Sequence, residues 1–312
     1  MRRAFRTFIG VDLGGGKGKT TAVARLRLDP YSEQPAVLVE DIGNGKPWYD
    51  ARLVDYLISQ HHEDTVVAMD APLTLTACVR CTLPSCPSLS GCEVPTVRWF
   101  QARAAARHAN GGGAEGKPTY TPYTQRATEV VLHEDHGIMP RETLGQGMGP
   151  LTARMAYLRH ALSRHYKLNH NLLEVYPKAT LSQLFPDFSS PAPEPEPPGG
   201  RLPASIRYKD SNGKAVSLNG TPRRPGVSQV AQKYKRSGHA LPIRERVLTD
   251  IGLRFGPGQW REFVLRSDHQ FDALICAYSA FLWARDGWEM PAEPVFAEDG
   301  WIWFPPPQRS AR

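Results

Sequence analysis

The chain has 312 residues, with 38 Lys plus Arg against 31 Asp plus Glu, a formal charge of +7 and a mean hydropathy of −0.42. Its longest mainly apolar run, Ala273 to Trp283, falls well short of the ~20 residues that span a bilayer, and Met1-Arg2-Arg3-Ala4-Phe5-Arg6 lacks the apolar core of a secretory signal. Five cysteines in so long a chain are no disulfide framework, and 27 Gly with 28 Pro are too few for wholesale disorder. A cytoplasmic enzyme is expected, with no membrane association.

Thr7 to Leu13 reads as a buried strand, Thr21 to Leu28 and Ala36 to Ile42 as two more, so three antiparallel strands open the chain. Asp50 to Gln60 carries a helical stripe at Leu53, Val54, Leu57 and Ile58. Thr65 to Met69 is a short strand that runs into Asp70-Ala71-Pro72. A helix is expected over 151–166, with Leu151, Met155, Leu158 and Leu162 on one face, and a further strand over Leu172 to Tyr176. Six prolines between Pro186 and Pro198 make a stiff, extended linker. Ser267-Asp268-His269-Gln270 fits a capping box opening a helix that runs to about Arg285, with Gly287 as its stop. Val295 to Phe304 reads as a hairpin turning at Asp299-Gly300, with Trp301 and Trp303 packed on a sheet edge. The order predicts a mixed α/β layer fold.

Asp12 and Asp70 each end an apolar strand, and Asp272 sits early on the apolar helix. Carboxylates beside a core are costly unless paired or bound to metal. If the two strands are neighbours, both acids emerge at one edge. Asp268, His269 and Asp272 share a helix face and face that edge from the helix start. Such converging oxygens make a hard-cation site for Mg²⁺ or Mn²⁺, and two cations ~3.5–4 Å apart would serve phosphodiester hydrolysis. Taken singly, each acid has a plainer role in a turn, a loop or a helix dipole.

The segments I-G-V-D-L-G-G-G-K-G-K-T-T (9–21), V-A-M-D-A-P-L (67–73), L-E-V-Y-P-K-A (173–179) and D-H-Q-F-D-A-L-I-C-A (268–277) resemble the domain of unknown function 429 family. That family is predicted to comprise nucleases of RNase H-like fold. The helix beginning at His269 is also similar to the final catalytic helix of RuvC-type junction resolvases. The resemblance implies a single RNase H-like domain over 1–312: a mixed sheet with flanking helices, carrying a four-Cys metal-binding insertion at 78–92 and a Pro-rich, basic insertion at 186–240. It implies Asp12 and Asp70 as metal ligands, completed by Asp272 with His269 or Asp268. The resolvases usually place Glu where this chain has Asp70, whereas RNase H proper uses Asp. Glu174 has no clear counterpart and stands as either an extra ligand or a strand-end acid paired with Lys178.

Gly14-Gly15-Gly16-Lys17-Gly18-Lys19-Thr20 approaches a P-loop but fails by one position, because Leu13 stands where the first glycine belongs. A phosphate-cradling turn of the actin and sugar-kinase type remains as an alternative, beside a simple hairpin turn. Cys78, Cys81, Cys86 and Cys92 are spaced C-x2-C-x4-C-x5-C, which points to metal. Structural zinc on four thiolates is the first expectation and an iron–sulfur cluster the rival. Cys276 reads as core. From Arg201 to Arg266 fourteen Lys/Arg stand against four Asp/Glu, a basic block expected to contact nucleic-acid phosphates through Arg223, Arg224, Lys233, Lys235 and Arg236. Two weaker expectations are a phosphate-contacting face on Arg154, Arg159, Arg164 and His165, and a stacking groove of Tyr120, Tyr123 and Arg126. The function expected is a two-metal nuclease. The alternatives are an ATP-dependent phosphotransferase and a non-catalytic nucleic-acid-binding module.

Overall fold

The computed structural model describes residues 1–16, 19–43, 47–109, 119–186, 208–209, 215–216, 233–235, 240–257 and 260–307. A seven-stranded mixed sheet organises them, in the order β8-β3-β2-β1-β4-β5-β9. Its strands are β1 (Thr7–Asp12), β2 (Ala22–Leu28), β3 (Val37–Ile42), β4 (Thr65–Asp70), β5 (Leu172–Val175), β8 (Arg254–Phe255) and β9 (Ile302–Trp303). Tyr208–Lys209 (β6) and Ala215–Val216 (β7) pair separately. β2 runs antiparallel to both β1 and β3, as the opening of the chain predicts. β4 lies parallel to β1, and β5 parallel to β4. No helix among the described residues is long and apolar enough to cross a membrane.

β1 and β4 are near-continuous apolar runs because both faces of the sheet are covered. Side chains alternate between faces, so Ile9, Val11, Val67 and Met69 pack with the helices α1 (Asp50–Ser59) and α5 (Gly149–Leu162). Phe8, Val66 and Ala68 turn to the other face, where the helix α9 (Asp268–Asp286) lies. Asp12 and Asp70 have the same parity as these residues and therefore turn toward α9. The parallel register sets Asp12 directly beside Asp70.

α9 is buried on all sides from Phe271 to Ala284, as expected of a helix that is apolar all round. The Ser267 hydroxyl accepts the Gln270 N–H at 3.3 Å, and Gly287 closes the helix at φ 69°, so both expected ends hold. Gly10 decides how close α9 comes. A Cβ built there would lie 1.9 Å from the Ala273 carbonyl oxygen and 2.3 Å from the Ala277 nitrogen. Only a residue without a side chain lets the helix backbone rest on β1 at that depth.

Several elements had no clear periodic signal: α3 (Pro95–Ala109), α4 (Ala127–Glu134), α6 (Pro177–Leu184), α7 (Ala240–Asp250) and α8 (Trp260–Arg266). The expected C-terminal hairpin is replaced by a short helix, α10 (Pro294–Asp299), followed by β9, which pairs in parallel with β5. Pro294 starts that helix at a position where its missing N–H costs nothing. Asp299 is fully buried, its carboxylate accepting the Ala127 N–H at 2.7 Å, so it caps α4 instead of turning a hairpin. Trp301 and Trp303 do pack at the sheet edge, against Phe296 and Trp283.

Candidate active site

The carboxylate oxygens of Asp12, Asp70 and Asp272 come within 4.8 Å of one another. Two strand ends in parallel register supply the first two, and the second turn of α9, seated over Gly10, supplies the third. Asp272 is 1% exposed, and Asp12 and Asp70 are half-buried. Burial pushes the Asp70 carboxyl well above the ordinary carboxylate range, and the charges of Asp12 and Asp272 push it further. Burial likewise raises the Asp272 carboxyl to about 6, although the Lys235 ammonium opposes the rise. Three acids held this close are a charge arrangement that a cation stabilises.

Tyr234 and Lys235 supply what cationic and polar contact Asp272 has. The buried Tyr234 hydroxyl donates to Asp272 Oδ1 at 2.7 Å. Lys235 Nζ stands 2.5 Å from Asp272 Oδ2, yet this buried oxygen takes no aligned hydrogen bond. Burial works against the Lys235 ammonium, but Asp272 and Asp70 outweigh it and raise its pKa above the ordinary lysine value. Lys235 was expected to contact phosphate away from the acids; its ammonium instead occupies the acid cluster, drawn by the largest uncompensated negative charge within reach. Lys233 is half-buried. Arg223, Arg224 and Arg236 lie outside the described residues, as does most of the 186–240 insertion.

His269 Nδ1 is 2.6 Å from Asp12 Oδ2, and its side chain is 44% exposed. The Asp12 hydrogen bond raises the imidazole pKa above its usual value, against a smaller opposing effect of burial. Asp268, in the first turn of α9, is not one of the three converging acids. Glu174 does not join them either. Its carboxylate is gripped by the buried Arg126 at 2.5 and 2.8 Å and accepts the Leu73 N–H at 2.8 Å. The expected partner Lys178 is not the one it takes, and a carboxylate so neutralised is a structural element of the site wall. Arg126 reaches it because burial leaves that guanidinium only Glu174, Glu129 and Thr74 to bond.

Asp12 and Asp70 line a cleft of about 560 Å³ that Arg141, Lys178 and Lys235 also line. Burial, and then the charge of Lys235, lower the Lys178 pKa. The glycine turn beside the cleft is tied internally. The Gly14 N–H donates to Thr21 Oγ1 at 3.1 Å, and Arg154 binds the Gly14 carbonyl at 2.6 Å and Asp50 at 2.7 Å. This favours the hairpin reading over a phosphate cradle, and it removes Arg154 from the proposed phosphate face. Arg159 is likewise engaged, with the Leu73 carbonyl. The stacking groove is not formed: Tyr120 is buried on Phe100 with its hydroxyl on Glu134, and Arg126 is internal.

The four cysteines of the 78–92 segment line one separate cavity of about 230 Å³. Cys92 is buried, Cys78 half-buried, and Cys81 and Cys86 exposed. Among the described residues, the three aspartates are the only group of three or more such ligands within 4.8 Å, so the thiols are gathered but not closed to coordination distance.

Sequence reasoning missed Tyr234, Arg141 and the Arg126–Glu174 pair. The run Lys233-Tyr234-Lys235 shows basic character, but nothing local ties it to an acid 38 residues away. No family model, no curated protein and no solved structure matches the chain.

Proposed function

We propose that the protein is a divalent-metal-dependent nuclease, hydrolysing phosphodiester bonds of DNA or RNA on an RNase H-like fold. This is the activity implied by its resemblance to the domain of unknown function 429 family. The observation that carries the reading is the convergence of Asp12, Asp70 and Asp272 within 4.8 Å, two of which, Asp12 and Asp70, line a cleft together with Arg141, Lys178 and Lys235. The mixed sheet, with β1 between antiparallel β2 and parallel β4, supports it.

The donor set fits a hard cation, Mg²⁺ or Mn²⁺: three carboxylates with ligand oxygens within 4.8 Å of one another, the Asp272 one facing the Lys235 ammonium. Bound there, such a cation supplies Lewis acidity to a phosphodiester oxygen and lowers the pKa of water. The chain's own groups do the rest. Lys235, 45% exposed beside Asp272, would be within reach of a substrate phosphate if Asp12, Asp70 and Asp272 held the cation. Arg141 and Lys178 hold the flanking backbone. His269, hydrogen-bonded through Nδ1 to Asp12 at 2.6 Å, would serve as the proton donor to the departing oxygen. The basic block adds sequence-independent phosphate affinity.

The nuclease test uses labelled single-stranded, duplex and branched DNA and RNA, with Mg²⁺, Mn²⁺ or chelator. Cleavage that needs metal, and that is lost in folded Asp12→Asn, is expected. ATP turnover without cleavage, or binding without turnover in any metal, overturns the reading.

A further inference from the structure

The 81–94 segment has no helix or strand, only turns. The apolar cluster beneath it is small, built on Ala77, Cys92 and Val97 with Cys78, Leu89 and Val94 packed against it. Ser88 adopts a positive φ of 69°, which costs energy for a residue with a Cβ. So little buried apolar surface is a poor match for the entropy of ordering such a loop. What the segment has in place of a core is four thiols around one cavity.

Cys78 lies on α2 (Ala77–Arg80), and that helix is the start of a buried chain of polar contacts. Arg80 binds Asp299 Oδ1 at 2.5 Å, and Asp299 Oδ2 accepts the Ala127 N–H at 2.7 Å. The neighbouring Arg126 donates to Thr74 Oγ1 at 2.8 Å, and Thr74 in turn donates to the Asp299 carbonyl. Arg126 also holds Glu174, which accepts the Leu73 N–H at 2.8 Å, three residues past Asp70. Asp299, Arg126 and Glu174 are each at most 5% exposed in their side chains, so water does not loosen the chain beyond its first link, Arg80, which is 31% exposed.

We propose that Cys78, Cys81, Cys86 and Cys92 bind one zinc ion, and that its binding sets the position of Asp70 through Arg80, Asp299, Arg126 and Glu174. Tetrahedral coordination at ~2.3 Å brings sulfurs to about 3.8 Å from one another, so the cavity contracts on binding and the thiols release their protons to solvent. The contraction moves Cys78, and α2 carries the movement to Arg80. The inference does not depend on the nuclease reading, because its readouts are metal content and amide exchange.

The Leu73 and Ala127 amides are bonded by carboxylates alone, which makes them direct reporters of the chain. Protein prepared without oxygen is analysed for metal, and hydrogen exchange is measured before and after zinc removal under reducing conditions. One zinc per chain is expected, with exchange of both amides accelerated at least about tenfold on removal. Cys86→Ser, in the exposed loop, should lose zinc and exchange like the stripped protein. Arg80→Ala should keep its zinc yet already exchange fast, and be indifferent to stripping. A chain that binds no zinc overturns the site, as does iron with visible absorption. Zinc whose removal leaves both amides unchanged overturns the coupling.

Discussion

Replacing Asp70 by Asn should make the metal-free protein more stable, because it removes one charge from a crowded set. With carboxylate oxygens no more than 4.8 Å apart, two like charges repel by roughly 3.5 kcal/mol at an effective dielectric of ~20. The Asp272 carboxyl is raised from 3.8 to about 6, first by burial and then, against the opposing Lys235, by the charge of Asp12. Its folded value is raised, so the stability from this group is complete below pH 3.8 and is lost as pH climbs through about 6. Asp70, raised by burial and by both neighbours, acts in the same direction. Asn keeps the shape of Asp70 and none of the repulsion. Metal-free Asp70→Asn should therefore melt about 7 °C above the parent at pH 8, taking ~2 °C per kcal/mol for a chain of this size. The difference should close by about pH 4, where Asp70 and Asp272 of the parent are protonated. Magnesium should reverse the order at about 1,000 times its Kd, where it stabilises the parent by ~4.1 kcal/mol and the variant has lost a ligand. Melting curves at pH 4 and pH 8, with and without Mg²⁺, test this. A variant that melts at or below the parent at pH 8 without metal would refute the account of the acid cluster.

Two further outcomes follow from the same geometry. Lys235→Met removes the ammonium beside Asp272; the metal-free variant should melt lower at pH 8 and should be stabilised more by Mg²⁺ than the parent, checked by melting temperature against Mg²⁺ concentration. Gly10→Ala forces a methyl group into the α9 backbone, so it should cost about 1–3 kcal/mol of stability in urea unfolding, and should also weaken divalent-cation binding by calorimetry because Asp272 moves away from Asp12.

How far the site was legible depends on the range of the interactions that build it. The apolar strand runs and their acid ends are local properties, and the alternation of side chains puts Phe8, Gly10 and Asp12 on one face. The Ser267 cap and the Gly287 stop are likewise written within a turn of where they act. The sequence by itself thus determined the mixed α/β class, the long buried helix and the three acids that meet. Only the tertiary structure decided which charges answer them. Lys235 and Tyr234 reach Asp272, and Arg126 rather than Lys178 takes Glu174, across 38 and 48 residues respectively. The C-terminal segment joins β5 as a parallel strand instead of folding on itself. Periodicity records which side chains face the core, but it carries no information on which buried charge lies opposite which. That choice is made when the layers pack, because each desolvated charge must then find its partner among the few groups left within reach.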